Sequence, residues 1–212
     1  MKKCLICVDI QNDFINPESS LQVENGDQII PIVNKLLSRF ELIIFTQDWH
    51  PVNHKSFASQ YPDKNVFDVI ELNGLTQVLW PDHCVQYTKG AELHQDINFK
   101  DIKGEFYIFK KGTDPEVDSY SGFYDNGRKN STGLTEVLNE RGVESVYIVG
   151  LAFDYCCKYT AIDSVLEGFD TTLIIDATRA ISKDLSDTKK ELEEANVKII
   201  ESWELSLFEA TK

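Results

Sequence analysis

Asp9, Asp48, His50, Lys110, Lys111 and Cys156 each stand just behind a run of apolar residues. Leu5-Ile6-Cys7-Val8 leads into Asp9, and Leu42-Ile43-Ile44-Phe45 leads into Thr46-Gln47-Asp48-Trp49-His50. Phe106-Tyr107-Ile108-Phe109 leads into Lys110-Lys111, and Val146-Tyr147-Ile148-Val149 leads through Gly150-Leu151-Ala152-Phe153 to Asp154-Tyr155-Cys156-Cys157. These segments offer a carboxylate, a cation, a thiol and a pair of metal-binding groups. A thiol beside a base can attack a carbonyl carbon, and a nearby cation stabilises the anions involved.

Cys156 follows a strand-like run and opens a helix-like segment, beside the small residues Gly150 and Ala152. Amides at a helix start favour the thiolate and can hold an oxyanion. Cys157 fits a buried structural cysteine better. The vicinal pair is not a Cys-x-x-Cys redox motif.

All four histidines, His50, His54, His83 and His94, fall between residues 47 and 103. Asp48 and His50 are two apart at a strand end and can point the same way. With His83 from another loop they would suit a divalent ion that keeps open positions. From spacing alone, a turn in which Asp48 caps a backbone amide is the plainer reading. His54 and His94 read as surface residues or as supports behind a site. Paired lysines are most often solvated, so Lys110-Lys111 gains weight only from its place at a strand end.

The elements that must position these residues follow from the same runs. Strands are expected at 3–8, 41–46, 104–110, 144–150, 171–176 and 197–200, continuous and apolar as strands buried on both faces are. A first helix follows Gly26-Asp27, with Ile29, Ile30, Val33, Leu36, Leu37 and Phe40 at helical spacing and Pro31 in its first turn. A second begins near Ser131-Thr132 and stops at Gly142; a third runs from about Asp154 to Leu166, closed by Gly168. A fourth covers roughly 185–195, and a short one follows Ser202. Alternation of this kind predicts an α/β protein, a parallel sheet with helices on both faces. In such sheets ligands bind beyond the carboxyl ends of the strands, where these polar residues stand. Residues 47–103 are the long exception, about half without clear periodicity, and read as the wall of the site.

At 212 residues the chain suits one well-cored domain, 1–212. A formal charge of −14 repels phosphate backbones and anionic membranes, so neither nucleic acid nor membrane is an expected partner. Small neutral or cationic ligands are the easier partners. The first residues lack the longer apolar stretch and cleavage site of a signal peptide, and the five cysteines show no framework of spacings. Reduced thiols in a cytoplasmic protein are expected.

Five segments together resemble the isochorismatase-like cysteine hydrolases, and among them the nicotinamidases. They are Val8-Asp9-Ile10-Gln11-Asn12-Asp13-Phe14, Thr46-Gln47-Asp48-Trp49-His50-Pro51, Trp80-Pro81-Asp82-His83-Cys84-Val85, Lys111-Gly112 with Tyr120-Ser121-Gly122-Phe123, and Gly150 through Cys156. They occur in the family's order across nearly the whole chain. The resemblance implies a three-layer α/β/α fold and a catalytic triad of Asp9, Lys111 and Cys156. It implies a cis peptide before Ala152, with the Ala152 and Cys156 amides as oxyanion hole. It places a divalent metal on Asp48, His50 and His83, zinc foremost, with iron or manganese admitted by the same ligands. Phe14 and Trp80 match positions that sandwich a pyridine ring, and Tyr120 lines the same pocket. The implied reaction is hydrolysis of nicotinamide in NAD salvage, with pyrazinamide as an analogue. A homo-oligomer is compatible with the resemblance. One departure is Tyr155, where many family members carry histidine before the nucleophile.

Overall fold

The computed structural model describes residues 2–205. Six strands form one fully parallel sheet: β1 (Lys2–Val8), β2 (Leu42–Asp48), β5 (Glu105–Lys111), β6 (Val143–Leu151), β7 (Asp170–Arg179) and β8 (Lys198–Ile200). Their spatial order is β5-β2-β1-β6-β7-β8. The chain therefore moves outward from β1 through β2 to β5, crosses back, and continues outward from β6. The reversal lies between β1 and β6, the crevice where open α/β sheets bind ligands.

Strand alternation sorts the core into two layers. Leu5 and Cys7 of β1, with Ile43, Phe45, Tyr147, Val149 and Ile174, pack under α2 (Ile30–Leu37), which contributes Ile30, Val33, Leu36 and Leu37. Cys4, Ile6 and Val8, with Leu42, Ile44, Val146, Ile148 and Leu173, face the other way. There they meet Leu134 and Leu138 of α3 (Leu134–Glu140), Ala161 of α4 (Lys158–Leu166) and Leu192 of α5 (Ser186–Glu194). This is the expected three-layer α/β/α arrangement. Pro31 sits in the first turn of α2, and Gly168 ends the α4 segment at a φ of 93°. No helix among the described residues is long and apolar enough to cross a membrane.

Four expectations change. β5 is the sheet edge rather than a strand buried on both faces, and Phe106 and Ile108 are 44% and 47% exposed. The long loop contains an antiparallel hairpin, β3 (Val69–Leu72) with β4 (Leu75–Val78). Asn12–Ile15, outside every expected helix, forms one helical turn, α1. The helix carrying Cys156 begins as a π-turn over Phe153–Cys157, so Cys156 lies in the turn ahead of α4 rather than in an α-helical first turn.

Candidate active site

Register brings the polar strand ends together. Asp48 pairs directly with Lys111 across β2 and β5, Cys7 with Phe45, and Val8 with Gly150. Asp9, one residue beyond β1, therefore faces the segment that follows β6. Gly150 has a φ of 120°, and a Cβ there would lie 2.0 Å from the Val8 carbonyl oxygen, so only glycine lets the two central strands end this close. The Leu151–Ala152 bond is cis.

Lys111 is at the centre. Its Nζ lies 2.8 Å from Asp9 Oδ2, donates to Asp48 Oδ1 at 2.5 Å and to the Ser119 carbonyl at 2.9 Å, and reaches Cys156 Sγ at 3.5 Å. Lys110 points the opposite way, as strand alternation requires, and its Nζ rests 3.7 Å from the centroid of the Trp49 ring. Burial alone would lower the Lys111 pKa, but Asp48, Asp9 and Cys156 around it hold it well above the ordinary lysine value, so the ammonium is fixed.

Asp9 has a φ of 47°, uncommon for a residue with a side chain. The conformation is held from β2: the Asp9 amide donates to Thr46 Oγ1 at 3.2 Å, and the Thr46 hydroxyl donates to Asp9 Oδ1 at 2.6 Å. Asp9 Oδ2 faces the ammonium but accepts no well-aligned hydrogen bond, which leaves a lone pair open to a proton. Burial pushes Asp9 up to about 6 against the pull of Lys111. The Cys156 thiol is also pushed well above its ordinary value by burial, with Lys111 opposing. This reverses the thiolate expected from a helix start. A neutral thiol beside an ionised carboxylate needs that carboxylate as its base. Carboxylate and sulfur lie within 4.8 Å of each other.

Next to this cluster, Asp48, His50 and His83 converge, with ligand atoms all within 4.8 Å of one another. His50 Nε2 is 3.6 Å and His83 Nε2 3.9 Å from Asp48 Oδ2. The other ring nitrogens face carbonyls: His50 Nδ1 lies 2.8 Å from Gly112 O, and His83 Nδ1 2.7 Å from Pro81 O. Each Nδ1 must therefore carry the proton, so both Nε2 lone pairs point at the same space. Gly112 makes this possible, since a Cβ there would lie 2.3 Å from His50 Cε1. Burial and the neighbouring His50 pull His83 down to about 4, keeping it neutral as a ligand must be. Despite burial, Lys111 and His50 hold Asp48 ionised, well below the carboxylate range. Against burial, Asp48 raises the His50 pKa, so a bound cation would take the place of the Nε2 proton there. Two imidazoles and one carboxylate fit a divalent cation.

Both clusters open into one cavity lined by Phe14, Trp80, Tyr120, Ala152, Tyr155 and Cys156, with Asp48 and His83 at its polar side. Every residue expected from the sequence is therefore at or beside this cavity. Its free space is narrow, about 30 Å³ for the centres of water-sized molecules.

Several supporting residues escaped the sequence reading. Gln11 clamps the Asp48 backbone, accepting its amide at 2.7 Å and donating to its carbonyl at 2.8 Å. Thr46 orients Asp9, and Asp118 lines the cavity. Gln11 and Thr46 stand inside the motifs already singled out, which was the available signal. His54 is fully buried, its ring 4.4 Å from that of His50, and not at the surface. His94 is buried elsewhere, against Asn16.

The isochorismatase domain model matches residues 3–204. A nicotinamidase of Acinetobacter baylyi is 49% identical over 177 residues, 84% of this chain and 81% of the relative. Among solved structures, a nicotinamidase and pyrazinamidase of Acinetobacter baumanii superposes with a TM-score of 0.91 at 42% identity, covering 96% of this chain and 98% of the other. A pyrazinamidase of Pyrococcus horikoshii in complex with zinc gives a TM-score of 0.73 at 36% identity, covering 95% and 99%. A doubly wound sheet, a thiol with its carboxylate and ammonium across the switch point, and a match running almost end to end lead to one assignment: the chain belongs to the isochorismatase family.

Proposed function

We propose that this protein hydrolyses nicotinamide to nicotinate and ammonia, as a step of NAD salvage, through a thioester on Cys156. The observation that carries this reading is the shared cavity. Cys156, with Lys111 and Asp9 behind it, and Asp48 and His83, with His50 beside them, share a space that Phe14 and Trp80 also line. The similarity to nicotinamidases supports the same substrate.

In this scheme Asp9 takes the Cys156 proton as sulfur attacks the carboxamide carbon. The amides of Ala152 and Cys156 receive the oxyanion. Asp9 returns the proton to the departing nitrogen, the C–N bond breaks and ammonia leaves. Water, deprotonated by Asp9, then adds to the thioester, and the C–S bond breaks to release nicotinate and restore the thiol. Lys111 stays protonated and stabilises the anionic forms of both partners.

Asp48, His50 and His83 would hold a divalent ion, which would supply a Lewis-acidic anchor for the ring nitrogen. Zinc is the proposed ion, since the donor set suits it and the similar Pyrococcus horikoshii pyrazinamidase was solved with zinc. Pyrazinamide, which keeps a nitrogen at the same ring position, is the proposed analogue. The whole of 1–212 is read as one hydrolase domain, because a single sheet runs from β1 to β8. The five cysteines are free and buried, which supports the cytoplasm as its compartment.

The deciding experiment is ammonia release from nicotinamide by purified, reduced, metal-replete protein. Robust release with a nicotinate product supports the reading. No release overturns the pyridine substrate and makes small carbamoyl amides the next substrates to assay.

A further inference from the structure

Tyr120 separates two spaces. On one side is the narrow ring slot; on the other is a roomier cleft, about 270 Å³ for the centres of water-sized molecules, bordered by Leu75, Thr76, Asn126, Arg128 and Tyr159. Tyr120 lines both. What keeps it in that position decides how large a ring the slot accepts.

The phenol oxygen is held by two donors. Trp80 Nε1–H donates to it at 3.2 Å and Gln77 Nε2 at 3.3 Å. Gln77 belongs to the hairpin strand β4 and is 2% exposed; its two Nε2 protons are shared among Tyr120, Asp118 Oδ2 at 3.1 Å and the Val78 carbonyl at 2.7 Å. One buried amide thus ties the segment bearing Trp80 to the loop bearing Asp118 and Tyr120, some forty residues away. Ring packing against Trp80, Tyr155 and Tyr159 confines Tyr120, but an aromatic side chain still has two torsions to fix. The Trp80 and Gln77 donors restrict them further.

We propose that Gln77, acting with Trp80, latches Tyr120 as the partition between the slot and the cleft. In this role Gln77 is a positioning residue that sets ring-size specificity. The inference rests on the proposed pyridine-amide reading for its substrates, though not for its geometry. With the latch intact, methyl-substituted nicotinamides are excluded. With it loosened, Tyr120 swings toward the cleft and at least one substituted ring enters.

The test compares wild type, Gln77→Leu and Tyr120→Phe on nicotinamide and on its 2-, 4-, 5- and 6-methyl derivatives. Tyr120→Phe removes only the latched hydroxyl, so it serves even where Gln77→Leu folds poorly. The expected result is a fall of about tenfold in discrimination against at least one methyl derivative, the range a single methylene commands in a tight pocket. It should appear mainly in KM, with kcat on nicotinamide less affected, and the double variant should add little to either single one. Unchanged discrimination across the whole set in folded, metal-loaded variants overturns the latch. A wild type inactive on nicotinamide instead sinks the substrate reading, and the latch is then read without turnover. The Trp80 indole N–H, observed by ¹⁵N NMR, should exchange faster in both variants; equal protection in all three proteins overturns the proposal.

Discussion

Lys111 Nζ donates to Asp48 Oδ1 at 2.5 Å, so the lysine beside Cys156 is also the counter-ion of Asp48, the proposed metal-binding carboxylate. The two residues are direct register partners on adjacent strands, and both are buried. Charge at one cluster is therefore felt at the other. Neither can be altered without disturbing its neighbour.

Replacing Lys111 by Met should leave Asp9 and Asp48 buried without their shared cation. Breaking a buried pair in this way costs roughly 3–5 kcal/mol. The expected result is a marked drop in the denaturant midpoint together with loss of turnover. A Lys111→Met protein as stable as wild type would show that the ammonium is not what compensates the two carboxylates.

Cys156→Ala should reduce ammonia release by at least about a thousandfold, the scale on which nucleophile removal is felt. Binding of nicotinamide, followed by calorimetry, should persist, because the ring contacts and the metal ligands are untouched. A variant that still turns over would exclude the covalent route.

Asp9 titrates at about 6, raised by burial. The base form lies above that value, so kcat/KM should fall on the acid side, roughly tenfold per pH unit below it. Asp9→Asn should abolish turnover at every pH. Thr46→Val removes the hydroxyl that donates to Asp9 Oδ1. Losing a donor to the carboxylate raises its pKa, so the acid limb should move to higher pH. An acid limb unmoved by Thr46→Val would separate the observed titration from Asp9.

Removing a ligand nitrogen should empty the metal site. His83→Ala, dialysed against a chelator-treated buffer, should retain well below one equivalent of divalent ion by elemental analysis, while wild type keeps it. Chelation of wild type should weaken substrate binding and be reversed by added zinc. Stoichiometric metal in His83→Ala would remove His83 from the ligand set.

Much of this arrangement was legible in the chain before folding. The sheet strands appear as continuous apolar runs, and the structure moves their ends by a residue or two, β7 somewhat more, because burial on both faces leaves no ambiguity of period. The four-residue strands of the hairpin and the single turn of α1 are too short to show any period. The edge position of β5 escaped because Phe106 and Ile108 read as core; which strand has no outer neighbour is decided by the rest of the sheet. The π-turn before α4 is a matter of hydrogen-bond register, which residue types do not encode. At the site, Asp9, Asp48 and Lys111 were visible because they stand at strand ends, and Cys156 because it follows one. Their supports were not, since Gln11 meets Asp48, and Thr46 meets Asp9, across 37 residues of sequence.

The reversal of strand order between β1 and β6 also divides the reactive groups between two parts of the chain. Residues up to β5 carry the proposed base Asp9, Lys111 and the proposed metal ligands Asp48, His50 and His83, while Cys156, the proposed nucleophile, arrives only with the segment after β6. During synthesis the nascent polypeptide thus holds no assembled thiol centre until its final third has docked against β1. Cys156 meets Asp9 only when β6 pairs with β1, so a chain that stops before β6 lacks the proposed thiol centre.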